Sequence, residues 1–309
     1  MKKLLSVFLG IQRTYFAIVE PCKKGFELKY VQYDKYTPNL KDNEFTDISL
    51  EPCFKKISDE LGTDIHGLNV IIPSDIAHYS LIPQPEKNNE QNLRKLCELE
   101  IRLNFPNNAY EDFSVTAIPL DNNIKEYKYL LMVFIHNTIL DNCKLSLSDL
   151  NLPIEKIRTP VLPSMTSFFY NYPEVYTKIS AIISFGVNST EFTVCSQENL
   201  LYFSQLKDKD NSNLLSNLLN EFEKAEELLA EKIQFCFLSG ESLSSEFIEE
   251  VKSYFNKPEL RISRFNSFRM LTTNLGNGYR EYCSRMAHVF PPCIGAGLPD
   301  KNKEITIYK

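Results

Sequence analysis

The sequence predicts an α/β protein of two lobes, each a mixed sheet flanked by helices, with a small α+β subdomain inserted into the first. Three observations carry this reading. A pattern of three strands, a helix and a strand occurs near residues 4–73 and again near 179–240. Between the two copies lies a stretch of different rhythm, mixing single strands with amphipathic helices. The chain's 309 residues suffice for two domains, which usually run to ~100–200 residues each. The duplication is one of element order, not of residue identity.

The first copy opens with the apolar Leu4–Ile11, a polar break at Gln12-Arg13, and the β-rich Thr14–Val19. Gly25 precedes Phe26–Tyr36, whose alternation suits an extended segment. These make a meander of two hairpins. Ser49 as N-cap and Gly62 as stop bound a helix with Phe54, Ile57 and Leu61 on one face. Asn69–Ile72 follows as a buried strand ending at Pro73. A crossover helix must return the chain parallel to an earlier strand, so the sheet is mixed. This order opens a ribonuclease-H-like half-domain.

The insertion, residues 78–157, reads as strand His78–Ile82, helix Asn88–Asn104, strands Phe113–Leu120 and Tyr127–His136, helix Thr138–Leu152 and strand Ile154–Thr159. After Pro173 the first pattern restarts with strands Ile179–Phe185, Glu191–Cys195 and Leu200–Leu206. Helix Ser212–Glu231 has a wide apolar stripe of Leu214, Leu215, Leu218, Leu219, Phe222 and Leu229. Strand Gln234–Leu238, helix Leu243–Phe255 and strand Leu260–Arg264 complete the copy. The expected lobes are 1–178 and 179–282, with 283–309 returning to the first.

Composition narrows the function classes. Hydrophobic residues make up 43% and charged residues 24%, as in ordinary globular chains. A net charge of −6 gives no general attraction to phosphate backbones, so no nucleic-acid partner is expected. The eight cysteines form no CxxC and the four histidines stand alone, so buried free thiols are expected, and no metal site. Leu4–Gly10 is too short for a signal peptide's apolar core and is broken by Gln12-Arg13. No stretch approaches the ~20 apolar residues that cross a bilayer. The expectation is a cytoplasmic protein, with any membrane association coming through a partner. Glu221, Glu223, Glu226, Glu227 and Glu231 could bind a basic partner, but a solvated helix face explains them more simply.

Ile71-Ile72-Pro73-Ser74, Leu81-Ile82-Pro83 and the helix ending Leu103-Asn104-Phe105-Pro106, with Glu98 and Glu100 in it, resemble the inserted subdomain of the PilM-type proteins. Leu130–Ile135 and Leu150-Asn151-Leu152-Pro153 resemble the next strand–helix–strand of that family. Ile182–Thr190 resembles its second phosphate loop, Leu238-Ser239-Gly240 its adenosine motif, and Ile294-Gly295-Ala296-Gly297-Leu298 its closing helix. The resemblance spans nearly the whole chain and implies an actin-like ATPase (ribonuclease-H-like) fold, similar to FtsA-like actins. It also implies a bacterial scaffold of type IV pilus or type II secretion machinery, like the cytoplasmic part of the secretion L protein. Such a scaffold binds the N-terminal tail of a PilN-like inner-membrane protein and links the membrane platform to a cytoplasmic motor ATPase. Oligomerisation is compatible with it.

The same resemblance implies a degenerate nucleotide site. An actin-like site cradles phosphates on the backbone N–H groups of two glycine hairpins and uses carboxylates to hold Mg²⁺ and orient water. In the first hairpin Gln12 stands near the acidic position, followed by Arg13 and Thr14. Arg13 could meet a phosphate but reads better as a solvated turn residue. In the second, Ser184 replaces the carboxylate, Gly186 keeps the turn, and Asn188 and Ser189 follow. Glu191 would need a changed register to point inward. Gly240-Glu241 replaces Gly-Gly, setting a carboxylate where nucleotide should approach, and Arg158 stands in place of an acidic residue. The expectation is a pseudo-ATPase without catalytic residues or a required cofactor, with ATP and Mg²⁺ binding left open. The alternative is an active ATP-binding enzyme or filament-forming ATPase, which needs inward carboxylates near Gly10 and Gly186. A partner's tail is expected in a groove between the first lobe and the insertion. Tyr79, Leu81 and Ile82 stand near it but are better explained as core.

Overall fold

The computed structural model describes residues 3–35, 65–85, 90–121, 128–207, 213–255, 257–300 and 304–308, and within 36–64 only 55, 57 and 59. The helix expected at 49–62 lies mostly outside the described residues. Ile57, within it, is helical and buried.

The first sheet is built on the expected meander. Strands β1 (Leu4–Leu9), β2 (Thr14–Cys22) and β3 (Gly25–Asp34) run antiparallel. β4 (Gly67–Ile71) pairs parallel with β1. Beyond it lies β8 (Ile154–Arg158), also parallel. The short β14 (Thr272–Thr273) closes the far edge against β3. The strands are apolar on both faces because both faces are covered. Leu5, Val7, Leu9, Phe16 and Ile18 face the molecular interior. Phe8, Tyr15, Ala17 and Val19 face a C-terminal layer.

The insertion holds β5 (His78–Pro83), α1 (Glu90–Asn104), β6 (Phe113–Leu120), β7 (Tyr129–His136) and α2 (Asn137–Leu147). Leu93, Cys97 and Ile101 of α1 pack on Val115, Ala117 and Met132. The second expected helix ends five residues early. It gives way to a 3-10 turn at Ser148–Leu150 and to Asn151 in the left-handed region, φ 49°.

The second lobe places β9 (Ser180–Phe185), β10 (Thr190–Ser196) and β11 (Asn199–Leu206) as an antiparallel meander. β12 (Phe235–Ser239) pairs parallel with β9, and β13 (Arg261–Arg264) with β12. Helices α4 (Leu214–Leu229) and α5 (Ser245–Tyr254) cover its outer face. The acidic face of α4 is only partly solvated. Glu221 accepts from Tyr202 Oη at 2.5 Å, and Glu226 accepts from the Ile233 amide at 3.1 Å and pairs with Lys232. Both carboxylates are buried, so two of the five glutamates serve the lobe's own packing.

The insertion does not keep a sheet of its own. β11 pairs with β6 at Leu200 and Leu120, so the two sets of strands form one nine-stranded sheet that ends at β7 and β5. The Asp121 amide donates to the Leu200 carbonyl at 2.8 Å and holds the junction.

Two helices have no counterpart in the sequence reading. α3 (Val161–Asn171) is apolar on every side, and nine of its eleven residues are buried. A helix buried all round shows no stripe, so its period is invisible. Pro163 sits in the first turn, where its missing N–H leaves no bond unmade. α6 (Asn277–Met286) is largely polar and sets Tyr279, Tyr282 and Met286 against the first sheet. α7 (Pro291–Gly297) packs on β1, β2 and β4 and crosses α3. The last strand, β15 (Ile305–Tyr308), pairs antiparallel with β6 of the insertion. Seven cysteines are free thiols, six of them buried, while Cys53 lies outside the described residues.

Candidate functional site

Three turns meet between the sheets. Leu9 pairs with Thr14 across the first hairpin, leaving Gly10–Arg13 as its loop. In the second, the Gly186 amide donates to the Ser189 carbonyl at 2.9 Å, closing a two-residue turn. The third follows β12. Gly240 takes φ 111°, a conformation side chains disfavour, and a Cβ there would collide with the Phe185 carbonyl. Its amide donates to the His288 carbonyl at 2.9 Å, and Ser242 Oγ donates to the Gly186 carbonyl at 2.7 Å.

The turns face the segment just after β4 (Pro73, Ser74, Asp75) and the start of α7 (Pro291, Pro292). The cleft they enclose holds about 40 Å³. Small-molecule pockets usually measure ~300–1,000 Å³.

Its chemistry is acidic. Ser74 Oγ donates to Glu191, which is buried and directly opposite Ser184 across the β9–β10 hairpin. Burial pushes the Glu191 carboxyl up to about 7 against the Ser74 hydrogen bond, and the Asp75 charge adds to the rise. Burial likewise raises Asp75, opposed by the Ser189 hydroxyl. His288 is pulled down to about 4, first by burial and then by the Arg264 charge, so it is neutral at physiological pH. Glu241 reaches across the cleft to the first hairpin. Its Oε2 accepts from the Ile11 amide at 2.9 Å and the Gln12 amide at 3.5 Å, and its Oε1 accepts from Tyr15 Oη at 3.0 Å. Burial raises its pKa and these donors oppose the rise.

Of the residues singled out in the sequence, Ser184, Gly186, Ser189, Gly240 and Glu241 line the cleft. Gln12, Arg13, Thr14 and Asn188 do not. The Gln12 and Asn188 residues are exposed, Thr14 is buried, and the Arg13 guanidinium lies 4.5 Å from the Tyr33 ring centroid.

Three expectations change. Glu191 points inward without any change of register, because residues paired directly across a hairpin share a face. Counting alternation across the two-residue turn would have found it. Glu241, expected to obstruct the third turn, reaches instead to the loop of the first hairpin. The inward carboxylates near Gly10 and Gly186 that the enzyme alternative needs are present as Glu241, Glu191 and Asp75. Asp75 went unmarked, although the carboxyl end of a parallel strand is where α/β folds gather ligands.

Arg158 faces away from this chemistry. Its Nη2 lies 2.5 Å from Asp300 and 2.7 Å from Glu304, clasping the C-terminal segment to β8. On β5, Ile82 is buried and Tyr79 packs on Phe203, as core. Leu81 is 40% exposed at the sheet's edge. Among the described residues, no three His, Cys, Asp or Glu side chains cluster to hold a metal, and no helix is long and apolar enough to cross a membrane.

Paired ribonuclease-H-like lobes with two hairpins and a third loop around a common cleft define an actin-like ATPase fold. No family model and no curated protein matches the sequence. Among solved structures the chain is similar to a PilM–PilN type IV pilus biogenesis complex, with TM-score 0.72 and 11% identity over 96% of this chain and 99% of that one. A Bacteroides thetaiotaomicron protein with actin-like ATPase fold and unknown function gives 0.49 and 15%, over 85% and 91% of the two chains. The cytoplasmic domain of EpsL, an inner-membrane component of the Vibrio cholerae type II secretion system, gives 0.49 and 9%, over 92% and 94%.

Proposed function

We propose that this protein is a non-catalytic, cytoplasmic scaffold of a bacterial pilus or secretion system. It binds a short extended tail of a PilN-like inner-membrane protein and joins that platform to a cytoplasmic motor. The full-length likeness to the structure of a PilM–PilN complex carries the reading. The 40 Å³ cleft, with a carboxylate against the first hairpin, supports a scaffold that works without nucleotide. Millimolar ATP with Mg²⁺ should therefore leave the melting temperature unchanged and release no phosphate. Binding at ~100 times the dissociation constant would instead add ~2.7 kcal/mol. A Mg²⁺-dependent rise with hydrolysis would sink the proposal. It would favour the enzyme reading, for which the inward Asp75 and Glu191 are the specific support.

The mode of tail binding has a precedent within the chain. β15 adds to the β6 edge while Asp300 and Glu304 hold Arg158 and Lys156 of β8, so the chain's own end bridges first lobe and insertion. Strand addition of this kind draws on main-chain hydrogen bonds, with alternate side chains in pockets. Here those are Ile305 and Ile307, packed with the α1 core. A tethered strand competes at an effective concentration near ~1 mM. Ending the chain at residue 303 should therefore let a labelled peptide of residues 300–309 bind at least ~10-fold more tightly than it binds the full chain. Fluorescence anisotropy reads the difference, and equal affinities would show that the β6 edge does not accept extended segments in this way.

A further inference from the structure

We infer that Glu241 is a built-in replacement for a ligand phosphate: its carboxylate fills the anion-binding loop of the first hairpin and latches the two lobes together across the cleft. Successive backbone N–H groups in a turn form a concavity that selects anions. The Gly10–Arg13 loop is such a turn, and its Ile11 and Gln12 amides point at one carboxylate oxygen. Tyr15 Oη donates to the other. These three donors come from the first sheet, whereas the carboxylate comes from the loop after β12 in the second, 230 residues from Ile11.

Two glycines shape the fit. A Cβ on Gly10 would lie 2.6 Å from Glu241 Oε1, so only a residue without a side chain leaves room for the carboxylate. Gly240, at φ 111°, makes the turn that sends the next side chain across the cleft. Tyr15 is itself fixed, stacked on Phe8 and edge-on to Phe290. The donors are therefore held in place by packing that does not depend on a ligand.

Among the described residues, no basic side chain is hydrogen-bonded to Glu241. Its partners are the backbone amides of Ile11, Gln12 and Arg13 and the Tyr15 phenol, the donor types that receive a phosphate oxygen. The latch makes the closed arrangement a property of the chain, and it withholds the loop from any oxyanion that arrives from solution.

The latch is tested apart from the scaffold reading, with inorganic phosphate as the probe and sodium chloride at matched ionic strength as control. Wild-type protein should show no phosphate-dependent change in melting temperature. Glu241→Ala empties the loop while keeping Gly10 and Tyr15, and saturating phosphate should raise its midpoint by roughly 5 °C. Without phosphate, the Ile11 amide of that variant should exchange with solvent on the order of tenfold faster than in wild type. Glu241→Gln keeps the volume and one acceptor oxygen but loses the charge. It should fold, exchange at Ile11 at an intermediate rate and ignore phosphate. Wild-type exchange at Ile11 in Glu241→Gln, or a folded Glu241→Ala with neither faster exchange nor a response to phosphate, would overturn the latch. Neither result would bear on ATP hydrolysis or tail binding, so the two proposals fail separately.

Discussion

Replacing Gly295 by Ala should destabilise the protein by about 3 kcal/mol or more, the upper end of what overpacking costs. Gly295 lies in α7 where that helix crosses α3. A Cβ built on it would lie well inside contact distance of the Pro163 carbonyl oxygen, and its next neighbours are also Pro163 backbone atoms. Backbone cannot rotate aside as a flexible side chain can, so the helices must separate. The seam cannot yield cheaply. α7 also packs on β1, β2 and β4, where Cys293 Sγ lies 3.2 Å from the Ser6 carbonyl and Ala296 O accepts from Asn69 Nδ2 at 2.7 Å. Gly276→Ala is the matched control, since a Cβ there meets nothing within 4 Å. Urea melts should separate the two variants by most of the predicted loss. A Gly295→Ala midpoint equal to the control's would show that the helices do not meet as described.

Glu191→Gln should raise stability at pH 8 by up to ~3 kcal/mol relative to wild type and change it little at pH 4. The carboxyl titrates near 7 in the folded protein and at 4.5 when unperturbed. Between those values the native state keeps a proton that the unfolded chain releases. Stability from this group is therefore complete below about 4.5, falls as pH rises through the window, and is flat above about 7. A glutamine is neutral at every pH and still accepts from Ser74 Oγ, so it removes the slope with little change of shape. Chemical denaturation of both proteins from pH 4 to 8 gives the difference directly. Parallel curves would mean that Glu191 is ionised at no cost, through water or a counter-charge.

The local elements were legible because each writes its own period. The meander, β4, the β9–β10–β11 copy and the stripe of α4 lie within three residues of the sequence expectation. Legibility ends where burial is complete on all sides, or where a contact joins residues far apart in the chain. α3 shows no stripe because the interior surrounds it. The union of the insertion with the second sheet rests on one pairing, Leu200 with Leu120, which neither strand's alternation encodes.

The site divides along the same line. The sequence by itself determined that three turns would form, since Gly10, Gly186 and Gly240 follow apolar strands, and that a glutamate would follow the third. Only the tertiary structure decided what those turns face. Glu191 became an inward carboxylate through its partner strand, and Asp75 joined it from the first lobe. Arg158 found its acids at the chain's end, and Glu241 found its donors in the opposite sheet. Propensity and periodicity act over a few residues, whereas a hydrogen bond spanning 230 residues exists only after both sheets have packed.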